Sequence, residues 1–364
     1  MPGRRSRRIE KRMKICVIGA NGQVGAEVCV FLSEMAGVEV IPITRTYYGS
    51  VVLRRLGLPC WYGDPTTSSE LQTLAESCDL VADFSLPRGA PNELEATTAA
   101  RLHALIPKLG PAAHFVFVST MAVFHLNPNS PRFQIYGYTK RFGENLALRL
   151  GRRQHRAVSV LRLGQVHGVN QSCSKALRSI VGKGPVALPS LRSYTVFTYT
   201  IAEALVNLCQ AKERPGVYTV TSVPAWSWRE VHEHYCREAG VPVPEIREEL
   251  PLQTRRTGFA KALLRWLGEQ VHAQRELLET IISKLHPETA ARLRAAHYQK
   301  RAVSELGFLS SENVERPYAQ WRDVPGRRMT SLTDSRATMY STYRRVKRRF
   351  ATLVESESGQ PSAH

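Results

Sequence analysis

The stretch KICVIGANGQVGAEVCVFL, residues 14–32, constrains the fold more than any other part of the chain. It begins with a short apolar run ending in glycine, the pattern of a buried strand. It ends with Val24, Val28, Phe31 and Leu32 at helical spacing, continued by Met35. Between the two stand Gly19, Gly22 and Gly25. Glycines here allow a tight turn, let backbone N–H groups approach a pyrophosphate and let the helix pack closely on the strand. The helix N-terminus then favours the anion. Three glycines alone would describe any glycine-rich turn. With a strand before and an amphipathic helix after, they predict a dinucleotide site lined by Gly19, Asn21, Gly22, Gln23, Val24 and Gly25.

The alternation continues along the chain. VEVIPITR (38–45), LPCWYGD (58–64), DLVADFS (79–85), HFVFVST (114–120) and AVSVLRLG (157–164) read as strands, with Pro42 arguing for irregularity in the first of these. Residues 92–109 and 138–150 read as helices, and 256–300 as one or two long helices. Strands alternating with helices predict an α/β fold, a parallel sheet covered on both faces.

At the end of the second strand an acid would pair with the ribose of NAD, whereas an arginine accommodates the 2′-phosphate of NADP. The sequence there is ITRTYYG, with Arg45 and no acid; Glu39 lies at the wrong end of the strand. NADP is the expected cofactor, with NAD as the alternative.

A second group of residues carries acid–base chemistry. VFVST places Ser119 and Thr120 at the carboxyl end of the fifth strand, the edge where open α/β sheets bind ligands. Tyr136 and Lys140 follow, four residues apart, which puts them on one face of a helix. A phenol titrates near ~10 unaided. A neighbouring ammonium lowers that value toward the working pH. The pair alone is commonly structural; beside a glycine loop and strand-end hydroxyls it is a candidate proton-transfer site.

Composition sets bounds. A chain of 364 residues, 43% apolar, can bury a full core in one large or two smaller domains. No apolar run approaches the ~20 residues of a membrane span, and no signal-type segment opens the sequence. Seven scattered cysteines without CxxC or Cys/His clusters suit reduced thiols, a cytoplasmic location and no metal site. The net charge of +19 is concentrated at the ends: residues 1–14 carry +6 and residues 327–349 carry +7. Met13 reads as a natural start, which makes 1–12 a disordered basic extension. In MYSTYRRVKRRFATLV (339–354), Tyr340, Tyr343, Val346, Phe350 and Leu353 form a helical face among arginines. It suits an anionic membrane, nucleic acid phosphates, or packing on the chain's own lobe. Residues 355–364 read as disordered.

GANGQVG (19–25), YGD (62–64), FVFVSTMAVF (115–124), YGYTK (136–140) with Glu144, RLGQVHG (162–168), VFTYTIAEAL (196–205) and SELGF (304–308) occur in an order that resembles the extended short-chain dehydrogenase/reductases. That group comprises NAD(P)-dependent epimerases, dehydratases and ketoreductases, and the resemblance covers roughly residues 13–310. It implies a Rossmann-type doubly wound parallel sheet with a smaller, mostly helical C-terminal substrate lobe, the active site lying between them. The Rossmann domain would span 13–165, with 194–220 returning to it. The lobe would span 166–193 and 221–326, and 327–364 would form a basic helical tail.

The resemblance makes Tyr136 the general acid/base, Lys140 the residue that binds the nicotinamide ribose and depresses the Tyr136 pKa, and Thr120 the substrate-bonding hydroxyl, with Ser119 as its stand-in. Asp64 would contact the adenine. Phe84, Ser85 and Leu86 would cover the cofactor, and Leu163 to Val166 would lead toward the substrate lobe. Met121 and Ala122 stand where dehydratases of the family carry an Asp-Glu pair, which argues against 4,6-dehydration. His125 replaces a usual glycine and, with Thr120 and Met121, borders the expected substrate pocket. His167 and Cys173 read as structural.

The expected function is NADPH-dependent reduction of a sugar-like or nucleotide-sugar carbonyl. Its alternative is NAD-dependent epimerisation of a nucleotide sugar. A third reading is a non-catalytic NADP-binding scaffold or sensor. A homodimer is compatible with all three.

Overall fold

In a computed structural model, the described residues are 12–87, 91–124, 131–182, 184–189, 193, 195–212, 214–220, 226–249, 326–329, 345–346 and 348–349. The expectations for residues 1–11, 256–300, 304–308, 355–364 and His125 fall outside them. Described residues within 1–171, 194–225 and 317–364 form one compact unit, and those within 172–193 and 226–316 form a second.

The first unit is built on β1 (Met13–Ile18), β2 (Val38–Thr44), β3 (Trp61–Tyr62), β4 (Leu80–Asp83), β5 (His114–Thr120) and β6 (Ala157–Leu163). A short β7 (Gln165–His167) follows, with β8 (Val186–Pro189) in the second unit. β9 (Thr195–Phe197) and β10 (Val217–Val220) return to the first unit, β11 (Ile246–Glu249) lies in the second, and β12 (Gly326–Met329) is again in the first. The helices are α1 (Gln23–Ser33), α2 (Val51–Arg55), α3 (Ser69–Glu76), α4 (Pro91–Leu105), α5 (Pro131–Arg153), α6 (Ser172–Ile180), α7 (Thr198–Cys209) and α8 (Trp228–Ala239).

Eight strands form one sheet in the order β12-β10-β6-β5-β4-β1-β2-β3. Every neighbouring pair is parallel. Alternate residues of its strands, among them Cys16, Ile18, Ile43, Val81, Phe115, Phe117 and Val160, pack with Leu71 of α3, Leu102 and Leu105 of α4, and Leu146, Ala147 and Leu150 of α5. Ile15, Val17, Val116 and Leu161 point the other way by the period of two, toward the α1–α7 side. There Phe31 and Tyr199 meet edge to face with ring centroids 5.7 Å apart. Burial on both faces is what makes these strands continuous apolar runs.

Three sequence expectations shift. The strand expected over LPCWYGD is only two residues long, because at the sheet edge Trp61 and Tyr62 stay exposed and bury nothing that would extend the pairing. Pro42 does not interrupt β2. It sits in register with Val17, and the ladder to β3 begins only at Ile43, so no bond on that side requires its missing N–H. The described tail residues pack on the rest of the first unit: Val346 is fully buried, and Arg349 donates to Ser33 Oγ at 3.1 Å, to the Leu56 carbonyl at 2.6 Å and to Glu34. Ser33 ends α1 and Leu56 ends α2, so one guanidinium closes the carboxyl ends of two helices.

In the second unit β8 pairs parallel with β11, and α6 is joined to α8 by Arg178–Glu238 at 3.0 Å and Tyr235–Ser174 at 2.6 Å. α8 starts with a capping box between Ser227 and Glu230 and ends on Gly240.

Candidate active site

The glycine loop follows β1. Gly19 has φ +75°, a left-handed conformation that a side chain would strain, and a Cβ there would lie 2.8 Å from the Ser85 Cα. The loop after β4 thus rests directly on it. Gly22 is the N-cap of α1; no side chain caps the helix, and its first turn holds no acid. Asn21, Gly22 and Gln23 are exposed, Val24 is half-buried and Gly25 is buried. An open helix N-terminus with nearby backbone N–H groups fits a pyrophosphate.

At the end of β2, Arg45 and Thr46 are exposed. Arg54 lies over the Tyr47 ring at 3.7 Å and donates to the Tyr47 hydroxyl and to Ser50. Tyr47 in turn meets Tyr62 edge to face at 5.4 Å. Asp64 is exposed, and its carboxylate accepts from the Thr66 backbone at 2.9 Å. With Glu39 at the far end of the strand, this corner is basic and aromatic.

Tyr136, Lys140 and Thr120 are brought together. α5 begins at Pro131, so Tyr136 and Lys140 lie one turn apart well inside the helix. Thr120 Oγ1 accepts from the Ala122 backbone at 3.2 Å and hydrogen-bonds the half-buried Tyr136. Ser119 points elsewhere, donating to the buried Glu144 at 2.5 Å, and Glu144 is held bidentately by Arg162. Adjacent strand residues face opposite sides, so only Thr120 is available to a ligand beside Tyr136. Met121 is buried.

The Lys140 ammonium donates to the Val118 carbonyl at 2.8 Å and to the Ser85 carbonyl at 3.4 Å. Burial lowers its pKa from 10.5 to about 8, opposed by Asp83 and Glu144 and assisted by Arg101. One expectation is corrected here. The Tyr136 pKa is raised, not depressed, because the protein crowding the phenol penalises the phenolate more than the Thr120 bond favours it. Lys140 directs its protons at two carbonyls rather than at the phenol.

Phe84 and Ser85 are half-buried after β4, and Leu86 is exposed. Leu163 is buried in register with Thr120 and Val220, and Val166 pairs with Val196. His167 is buried against Gln165 and Phe197. Among the described residues no group of three or more His, Cys, Asp or Glu gathers to hold a metal ion, and no helix is long and apolar enough to cross a membrane. None of the seven cysteines, all among the described residues, is joined in a disulfide.

Sequence reasoning missed two sets of residues. Glu27 of α1, fully buried, accepts from the Val169 and Asn170 backbones at 2.6 and 3.0 Å, from Gln171 at 2.8 Å and from Thr198 at 2.6 Å. It fastens the segment after β7 to the helix of the glycine loop. Asp83 and Arg101 form a buried ion pair at 2.8 Å. Both sets left one signal, a charged residue at a position that the periodicity assigns to the core.

A parallel α/β sheet with an uncapped glycine loop at one strand end and a Thr-Tyr-Lys group at another defines a Rossmann-type NAD(P)-dependent enzyme. The model of the NAD dependent epimerase/dehydratase family matches residues 15–183 of this chain. The spore coat polysaccharide biosynthesis protein SpsK of Bacillus subtilis is 27% identical over 242 residues, which are 63% of this chain and 80% of that protein. The UDP-N-acetylglucosamine 4-epimerase from Bacillus cereus shares the fold, with a TM-score of 0.50 and 17% identity over 65% of this chain and 85% of its own.

Proposed function

We propose that this chain epimerises a nucleotide sugar, removing hydride from a carbinol carbon and returning it to the opposite face. The observation that carries the reading is the hydrogen bond between Tyr136 and Thr120 at the carboxyl edge of the sheet, one helical turn from the buried ammonium of Lys140. The family match over residues 15–183 and the sugar nucleotide in the name of the fold neighbour support it. NAD(P), when bound, supplies the hydride acceptor and donor. The residues named above for the pyrophosphate, the ribose and the adenosine fit that group.

Tyr136 carries the proton. In the oxidising half-reaction its phenolate takes the proton of the sugar hydroxyl, and in the reducing half it gives that proton back to the alkoxide oxygen. Thr120 holds the same oxygen by a second hydrogen bond, and Lys140 orients the cofactor ribose. Met121 and Ala122, both buried, offer no second acid for dehydration.

A second reading, reduction of a keto sugar by NADPH, is favoured by the acid-free end of β2 with its exposed Arg45. Incubation of the purified protein with UDP-sugars and either cofactor tests both. An epimer formed without net reduced nicotinamide supports the first. Stoichiometric NADPH consumption with a keto sugar supports the second, and neither product overturns both.

A further inference from the structure

Beneath Tyr136 and Lys140 lies a buried ion pair that the proposed chemistry does not use. Asp83 closes β4 and is fully enclosed, and Arg101 of α4 is 6% exposed. Arg101 Nε donates to Asp83 Oδ2 at 2.8 Å. The other oxygen, Oδ1, accepts from the Ser85 backbone at 2.9 Å and from the Ser85 hydroxyl at 2.5 Å. The Ser85 carbonyl then accepts from Lys140 at 3.4 Å, while the Ser85 backbone lies against Gly19. One carboxylate therefore joins α4, the loop beside the glycine turn and the ammonium.

A buried ion pair contributes little to stability, because the cost of drying two charges cancels most of their attraction. Its effect on a third charge is not cancelled in the same way. Lys140 is faced by Asp83 from β4, Arg101 from α4, and Tyr136 and Glu144 from its own helix. β5 contributes the Val118 carbonyl and the Phe117 ring. Arg162 of β6 is engaged by Glu144. Asp83 favours the ammonium and Arg101 opposes it, in an environment that brings the lysine to about 8.

We propose that the Asp83–Arg101 pair is a positioning device for Lys140: Asp83 fixes the Ser85 carbonyl that holds the ammonium, and the two opposed charges set how readily Lys140 releases its proton. The inference rests on the reading of Lys140 as the residue that orients the cofactor ribose.

The test is the affinity of the purified chain for NADPH, measured by nicotinamide fluorescence across pH. Wild-type affinity should fall as pH rises through about 8, where Lys140 loses its charge. Arg101→Met, which removes the opposing cation, should move that limb to higher pH. Asp83→Asn should move it to lower pH, each by on the order of one unit. A role in packing alone lowers the melting temperature of both variants without opposed shifts. Where Arg101→Met does not fold, Asp83→Asn is compared with Arg101→Lys, which keeps the charge: the limb should move in the first and stay in the second. Limbs that move together, do not move, or survive in Lys140→Met overturn the inference. Opposed shifts without product from any UDP-sugar would instead remove the proposed reaction and leave this inference standing.

Discussion

Gly137 approaches the turn after β5 so closely that a Cβ atom on it would lie 2.6 Å from the Ala122 carbonyl oxygen. This approach seats α5 against the turn that follows Thr120 and so brings Tyr136 to the Thr120 hydroxyl. Gly137→Ala gains about 1 kcal/mol of helix propensity but must push the helix off that oxygen. Turnover should fall by ~10²-fold, the cost of a misplacement near 1 Å, with little loss of melting temperature. Full activity in Gly137→Ala would show that the contact does not position Tyr136.

Tyr136→Phe should keep the fold and cofactor affinity while turnover drops by ~10² to 10⁴, the worth of a positioned acid/base. Tyr138, 51% exposed on another face of α5, is the control, and Tyr138→Phe should be mild. Steady-state kinetics of the two variants decide. Loss in Tyr138→Phe with full activity in Tyr136→Phe would place the motif in the wrong register.

Lys140 should trade stability for function. Its folded pKa of about 8 lies below the ordinary 10.5, so between those values the unfolded chain binds more protons and the group's contribution to stability rises with pH. At pH 7 the lysine is charged in both states and its burial costs on the order of 3 kcal/mol. Lys140→Met should therefore raise the melting temperature at pH 7. The gain is reduced because the Val118 and Ser85 carbonyls lose their donor, and it should shrink as pH rises toward 10.5. Lower stability at pH 7 would contradict this account.

Arg45 is expected to read the 2′-phosphate. A charge-assisted hydrogen bond contributes about 1.5–3 kcal/mol, so NADPH should bind roughly tenfold or more tightly than NADH, and Arg45→Asp should erase or reverse the preference. Equal dissociation constants in the unmodified protein would remove Arg45 from this role.

The tail should matter for folding. Arg349→Ala leaves Glu34 and the Leu56 carbonyl without their donor and should lower stability by about 1–2 kcal/mol, since the pair is only partly buried. Deleting 327–364 should destabilise the chain further, because it also removes β12 and the buried Val346. A truncated chain of unchanged melting temperature that loses affinity for anionic vesicles would favour the membrane reading instead.

What the sequence made legible was local. The strand–glycine–helix unit could be read because a continuous apolar run gives way to apolar residues at helical spacing within residues 14–32, and Tyr136–Lys140 because four residues make about one helical turn. What it hid depends on residues far apart in the chain. Glu27 binds Val169, and Arg101 binds Asp83 from another element of the same unit. No periodicity predicts such partners. The sign of the Tyr136 shift was missed for a related reason: it depends on how tightly the phenol is enclosed and where the Lys140 protons point, and spacing encodes neither.

β12 gives the sheet a particular order of assembly. It pairs with β10, yet residues 221–325 separate the two strands in the chain. On a ribosome adding about 5–20 residues per second, the outer edge of β10 waits on the order of 5–20 s for its partner. In that interval a parallel strand edge with unpaired N–H and C=O groups is open to other chains. Synthesis is therefore the stage at which this chain is most exposed to mispairing, and slowing translation between β10 and β12 should increase aggregation more than slowing it before β6.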